Sequence, residues 1–190
     1  CDTEVLAHLY EEHGDDLVHR LRGMFGFAIW DRARRRLLVA RDRLGIKPVY
    51  WRDDGGTLAF ASEIKALLVD VRLSRRVDLD GLVQLLALKY VPAPGTLFEG
   101  VAALPPGHLL VADAHGVQVR RWWSLSFERA PEVPEDELID QLRFLLDRAV
   151  TSHLQADVPY GALLSGGLDS STIVSLMARH LPDPVRTFAA

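Results

Sequence analysis

A single cysteine in 190 residues excludes an intrachain disulfide and offers no thiolate cluster to a metal. That scarcity fits a reducing, cytoplasmic setting. No apolar stretch approaches the roughly 18 residues of a membrane span, and no signal-peptide pattern opens the chain. An excess of either charge is also lacking: 22 Lys+Arg stand against 26 Asp+Glu, a formal net charge of -4. So weak a field gives no footprint for nucleic acid or an anionic membrane. The histidines, at positions 8, 13, 19, 108, 115, 153 and 180, lack zinc-type spacing and are expected at the surface or as caps. The one basic run, Arg32 to Arg36, is expected to be a solvated hairpin tip.

What is present is the composition of a globular protein, 48% hydrophobic and 25% charged. The length suits one ordinary domain or parts of two. The chain begins without methionine in a helical pattern and stops in a strand-like segment, so it is expected to be an internal piece of something longer.

Val5, Leu6, Leu9, Leu17, Val18 and Leu21 recur at helical spacing with a break near Gly14. Met24–Trp30 and Leu37–Ala40 read as two buried strands. Val49–Trp51 and Leu58–Ala61 form a second pair across Asp53-Asp54-Gly55-Gly56. Short helices are expected at 64–68 and 82–88, and a last hairpin at 109–119 with its turn at His115-Gly116. Residues 126–135 read as a linker, with Pro131 and Pro134 among acidic residues. Beyond it, Leu138, Ile139, Leu142, Leu145, Leu146 and Ala149 mark an apolar helical stripe. Then come a strand at 161–164, a helix at 170–179 with Ile173, Val174 and Met177 inward, and a strand at 185–188. Strand, helix, strand is the opening of a parallel sheet.

Between that strand and helix stands Ser165-Gly166-Gly167-Leu168-Asp169-Ser170-Ser171. A glycine loop running into a helix offers orphan N–H donors and the positive end of the helix dipole, which suit phosphate. Gly166 and Gly167 permit close approach of an anion. The hydroxyls of Ser165, Ser170 and Ser171 can add hydrogen bonds, and Asp169 can cap the helix or help to hold a cation. The loop lacks the Lys-Ser/Thr of a Walker A motif and the third glycine of a dinucleotide fingerprint. The plain alternative is a βα turn capped by serine.

Asp157–Leu164 followed by this loop resembles the synthetase domain of the glutamine-hydrolysing (class B) asparagine synthetases, within the wider ATP-pyrophosphatase group. Upstream, Arg22–Asp31, Ala40–Pro48, Phe60–Leu67 and Lys89–Pro94 resemble the glutaminase domain of N-terminal-nucleophile amidotransferases. The last of these favours the asparagine synthetase branch. The resemblance covers essentially the whole chain, with departures at Gly26, Val49, Trp51 and Ala190. It implies a mixed fold, α/β and α+β: a partial αββα glutaminase sandwich, then the start of a parallel-sheet ATP-pyrophosphatase domain. The implied boundaries are 1–125 for a glutaminase lacking its N-terminal part, 126–135 for the linker, and 136–190 for the truncated ATP-binding domain.

The same resemblance implies ATP and Mg²⁺ as cofactors, and glutamine, aspartate and ATP as small-molecule partners. It calls for no nucleic acid and no membrane, and leaves room for a homodimer. Ser165 to Ser171 would hold the departing pyrophosphate, Asp169 would touch the metal, and Leu163, Leu164 and Ala190 would contact adenine. Asp2 would bind the α-ammonium of glutamine, against an alternative role as helix N-cap. Cys1 is not the expected nucleophile: it leads into Asp-Thr-Glu and a helix, not into glycine and a strand. The nucleophile is expected upstream, so this piece alone should catalyse neither half-reaction. Arg41-Asp42 reads as a structural pair or turn anchor. Paralogous amidotransferases or β-lactam synthetases with another acceptor, and a nucleotide-binding module without turnover, remain the alternatives.

Overall fold

The computed structural model describes residues 2–127 and 132–189, with Asp2 described by its backbone alone. Cys1, residues 128–131 and Ala190 lie outside the described residues, and with them part of the expected linker. The chain divides into two compact units, Cys1–Ser126 and Phe127–Ala190.

The first unit opens with α1 (Asp2–His13), a 3₁₀ turn and α2 (Leu17–Arg20). Two hairpins follow, β1 (Gly26–Asp31) with β2 (Arg36–Arg41), and β3 (Tyr50–Asp53) with β4 (Leu58–Ala61). Next come α3 (Ile64–Leu67), α4 (Leu79–Leu88), the short β5 (Ala102–Ala103), and a hairpin of β6 (His108–Asp113) and β7 (Gly116–Arg121). Two antiparallel sheets result, in the orders β1-β2-β6-β7 and β4-β3-β5.

Strand alternation sorts the apolar residues into layers. Leu38, Ala40, Leu109 and Val111 face one way, onto Tyr10, Leu17 and Val18 of the helical layer. Their neighbours Leu37, Val39 and Leu110 face the other way, onto Val49, Trp51 and Leu58 of the second sheet. Beyond that sheet, Tyr50, Ala59 and Ala61 pack on Ile64, Leu67 and Leu68 of the α3 region. Helices, sheet, sheet, helix is the expected αββα sandwich.

Three local expectations need correction. β1 is not a buried strand: it is the edge of its sheet, and Trp30 is 58% exposed. The turn of the last hairpin is Ala114-His115, since Gly116 already pairs with Asp113. Arg36 is not solvated. Its guanidinium forms two 2.5 Å hydrogen bonds with Asp15, which also pairs with Arg120. The turn-anchor reading of Arg41 and Asp42 is observed, chiefly through the main chain: Arg41 donates to three carbonyls and Asp42 accepts from four amides.

The second unit contains α5 (Glu135–His153), β8 (Ala162–Leu163), α6 (Leu168–His180) and β9 (Thr187–Phe188). β8 and β9 pair in parallel, Ala162 with Thr187 and Leu163 with Phe188. The βαβ reading is therefore observed. α5 and α6 are joined by a 2.7 Å contact of His180 Nε2 with Asp147 Oδ1, and Val150 and Met177 are buried. Ile173 is not inward as expected but is 40% exposed. No described helix is long and apolar enough to cross a membrane.

Candidate functional site

The glycine loop lies where an open parallel sheet binds its ligands, beyond the carboxyl end of a strand. Leu164 N–H donates to Phe188 O at 2.8 Å, holding the strand up to the point where the loop leaves it. Gly161 permits the close approach beneath: a Cβ there would stand 2.6 Å from Arg186 O and 2.8 Å from the Phe188 ring. The sequence carries no local sign of this need for glycine, because its cause is a chain 25 residues away. Gly166 then turns the backbone at φ +80°, a conformation that disfavours a side chain, with open space where its Cβ would be.

Gly167 is the N-cap of α6 and carries no side-chain cap. The first intrahelical bond runs from Ser171 N–H to Gly167 O at 3.1 Å. The amides of Leu168, Asp169 and Ser170 thus have no acceptor within the helix, the usual condition of a first helical turn. The hydroxyls of Ser165 and Ser170 are 3.1 Å apart, and Ser170 Oγ donates to Gly167 O at 3.2 Å. The loop is therefore held by its own serines with a set of N–H donors at the positive end of the helix.

Asp169 sits in the first turn of α6 and does not cap it. Among the described residues no group of three or more His, Cys, Asp or Glu side chains gathers to hold a metal. One carboxylate beside a loop of free N–H donors still fits Mg²⁺, which commonly takes one or two carboxylates plus phosphate oxygens. Leu163 is 76% exposed at the end of β8, and Leu164 follows it. Behind them lies a mainly apolar cavity of about 540 Å³, walled by Val150, His153, Tyr160, Leu163, Ile173 and Met177. Ala190, the third expected adenine contact, lies outside the described residues.

In the first unit Asp2 begins α1, and its side chain is not among the described parts of the chain. Its neighbour Thr3 lines a cavity of about 610 Å³ with Arg22, Met24, Phe25, Lys47 and Ser62. Nothing in the sequence joins Lys47 or Ser62 to this place, since they flank the β3–β4 hairpin, far along the chain from Thr3 and Arg22.

Residues 1–123 match the glutamine amidotransferase domain family. The chain belongs to that family. Residues 141–190 match the asparagine synthase family. The chain is 41% identical over 180 residues to asparagine synthetase [glutamine-hydrolyzing] 3 of Bacillus subtilis (strain 168), covering 94% of this chain and 29% of that protein. It is 38% identical over 184 residues to asparagine synthetase [glutamine-hydrolyzing] 2 of Arabidopsis thaliana, covering 95% and 26%. A putative asparagine synthetase [glutamine-hydrolyzing] 2 of Methanocaldococcus jannaschii is 35% identical over 180 residues, covering 93% and 35%. The chain thus spans about a third or less of the length of these relatives. The glycine loop lies beyond the residues that match the glutamine amidotransferase domain family, within those that match the asparagine synthase family.

Proposed function

We propose that this chain is part of a glutamine-hydrolysing asparagine synthase, a carbon–nitrogen ligase that takes its amide nitrogen from glutamine. The observation that carries the reading is the Ser165–Ser171 loop, with its turned Gly166 and acceptor-free amides, on the same chain as an amidotransferase unit. Neither part alone specifies the reaction. Together they call for an ammonia donor and an ATP-dependent acyl activation.

Two chemistries are joined. In the first, water and glutamine give glutamate and ammonia, with Asp2 holding the substrate's α-ammonium by a charge-assisted bond. In the second, a side-chain carboxylate oxygen of aspartate attacks the α-phosphorus of ATP. The bond from that phosphorus to the bridging oxygen breaks, and pyrophosphate leaves with the electron pair. Ammonia then attacks the acyl carbon of β-aspartyl-AMP, losing a proton as AMP departs, and asparagine is formed.

Negative charge grows on pyrophosphate as its bond breaks. The amides of Leu168 to Ser170 are fixed donors for that charge, needing little rearrangement at the moment of reaction, and the hydroxyls of Ser165, Ser170 and Ser171 can rotate to add to them. Mg²⁺, when bound, would neutralise phosphate charge, with Asp169 as its protein carboxylate. Leu163, Leu164 and Ala190 would form the adenine wall. The cytoplasm is the proposed setting, with no nucleic acid or membrane among the partners.

The test is pyrophosphate release by the full-length protein that carries this chain. Stoichiometric AMP and pyrophosphate should appear only with aspartate, ATP, Mg²⁺ and a nitrogen source together. ADP and inorganic phosphate as products, or release indifferent to aspartate, would overturn the assignment.

A further inference from the structure

Asp42 is a buried carboxylate of the first unit, 1% exposed and accepting four main-chain hydrogen bonds. Oδ2 accepts from Phe25 N–H at 3.3 Å and from Lys47 N–H at 2.9 Å. Oδ1 accepts from Leu44 N–H at 3.2 Å and Ile46 N–H at 3.0 Å. Its own amide donates to Phe25 O at 2.9 Å, and its carbonyl accepts from Gly45 and Gly107.

Arg41 completes the anchor from the carbonyl side. Its guanidinium donates to Lys47 O at 2.9 Å, Gly45 O at 2.6 Å and Leu104 O at 2.6 Å. So Lys47 is gripped by its N–H through Asp42 and by its carbonyl through Arg41.

Phe25 and Lys47 are both wall residues of the 610 Å³ cavity that also takes in Thr3, next to Asp2 in sequence. They come from different segments, one entering β1 and one approaching β3. A single carboxylate oxygen holds both backbones, which fixes the separation of the two walls. The Asp42 amide ties Phe25 at the end of the β1–β2 ladder, and the carboxylate extends that tie to the loop 43–48, which lies outside the named strands.

We propose that Asp42 is a positioning residue of the glutamine subsite: it sets the width of this cavity through Phe25 and Lys47 without touching substrate. The inference rests on the glutamine-hydrolysis reading. An amide in its place keeps the shape but has one acceptor oxygen, and turns an N–H₂ donor toward two backbone donors. The walls then separate. A displacement of an ångström in a substrate-positioning group is enough to impair turnover severely.

The experiment uses the full-length protein, measuring glutamine hydrolysis beside ammonia-dependent pyrophosphate release. Asp42→Asn should raise KM for glutamine about tenfold or more. It should leave ammonia-dependent release within about twofold, because that reaction bypasses the cavity. Asp15→Asn, which removes another well-paired carboxylate of the same unit, should leave KM for glutamine unchanged. If Asp42→Asn does not fold, Arg41→Lys, which releases some of the three carbonyls but keeps the charge, should reproduce the KM effect. An unchanged KM, a parallel loss of ammonia-dependent activity, or an equal KM effect in Asp15→Asn would overturn the proposal. A parent protein that hydrolyses no glutamine at all would instead sink the functional reading beneath it.

Discussion

Asp15 ties three parts of the first unit together, since it lies in the turn after α1 and pairs with Arg36 of β2 and Arg120 of β7. Burial works against its charged form, but the hydrogen bonds from Arg36 and the charges of Arg36 and Arg120 prevail and hold its pKa below the ordinary 3.8. A carboxylate with a depressed folded pKa adds stability above its unfolded pKa and loses it as pH falls through the folded one. The melting-temperature gap between wild type and Asp15→Asn should therefore be full above about pH 5 and close progressively in more acid solution. A gap that stays constant from neutrality to acid would contradict this account. At Gly166 the expected outcome differs in kind. Gly166→Ala adds a Cβ that meets nothing within 4 Å, but on a backbone at φ +80°. The fold should lose only about 1–2 kcal/mol. KM for ATP should nevertheless rise several-fold, because the strained turn no longer presents the amides in one arc. Some of these residue roles are legible in the sequence and others are not. The loop's serines and glycines announce themselves locally. The partners of Asp15 do not, because Arg36 and Arg120 meet it only when separate hairpins close, whereas three of Asp42's partners lie within five residues and only Phe25 reaches it across the β1–β2 hairpin.

At the scale of elements, period-two alternation carries the first unit. Leu38 and Ala40 on one face of β2, with Leu37 and Val39 on the other, already require something apolar on both sides. That pattern is legible in the sequence alone. The edge position of β1 is not, because Phe27 and Ile29 look alike whether a strand is central or marginal. The same division predicts mutational cost. Leu38 is fully buried between β2 and the helical layer, so Leu38→Ala should cost about 2–5 kcal/mol in urea denaturation. Val83 lies on the exposed side of α4, and Val83→Ser should change stability by no more than about 0.5 kcal/mol in this chain. Equal losses at the two positions would mean that the layers are assigned wrongly. α4 itself is fixed at its start by Asp78, whose side chain accepts from Gly81 N–H at 2.9 Å. Helical spacing alone places this helix at 82–88; the capping aspartate moves its start back to Leu79.

For the whole molecule, what matters is that an amidotransferase unit and a phosphate-suited loop occur on one polypeptide. The two units are distinguishable from composition, because strand-rich alternation gives way after Trp122-Trp123 to a long amphipathic helix and a βαβ pattern. Much of the glutamine-side chemistry is not legible as geometry, since Asp2 is assigned only by resemblance and its side chain is not among the described parts. The most direct test is to supply the full-length protein with ATP, Mg²⁺, aspartate and glutamine labelled with ¹⁵N in its side-chain amide. The account predicts asparagine carrying that ¹⁵N in its own side-chain amide, formed together with AMP and pyrophosphate. Label appearing in a different acceptor, or remaining wholly in glutamine and free ammonium, would contradict it.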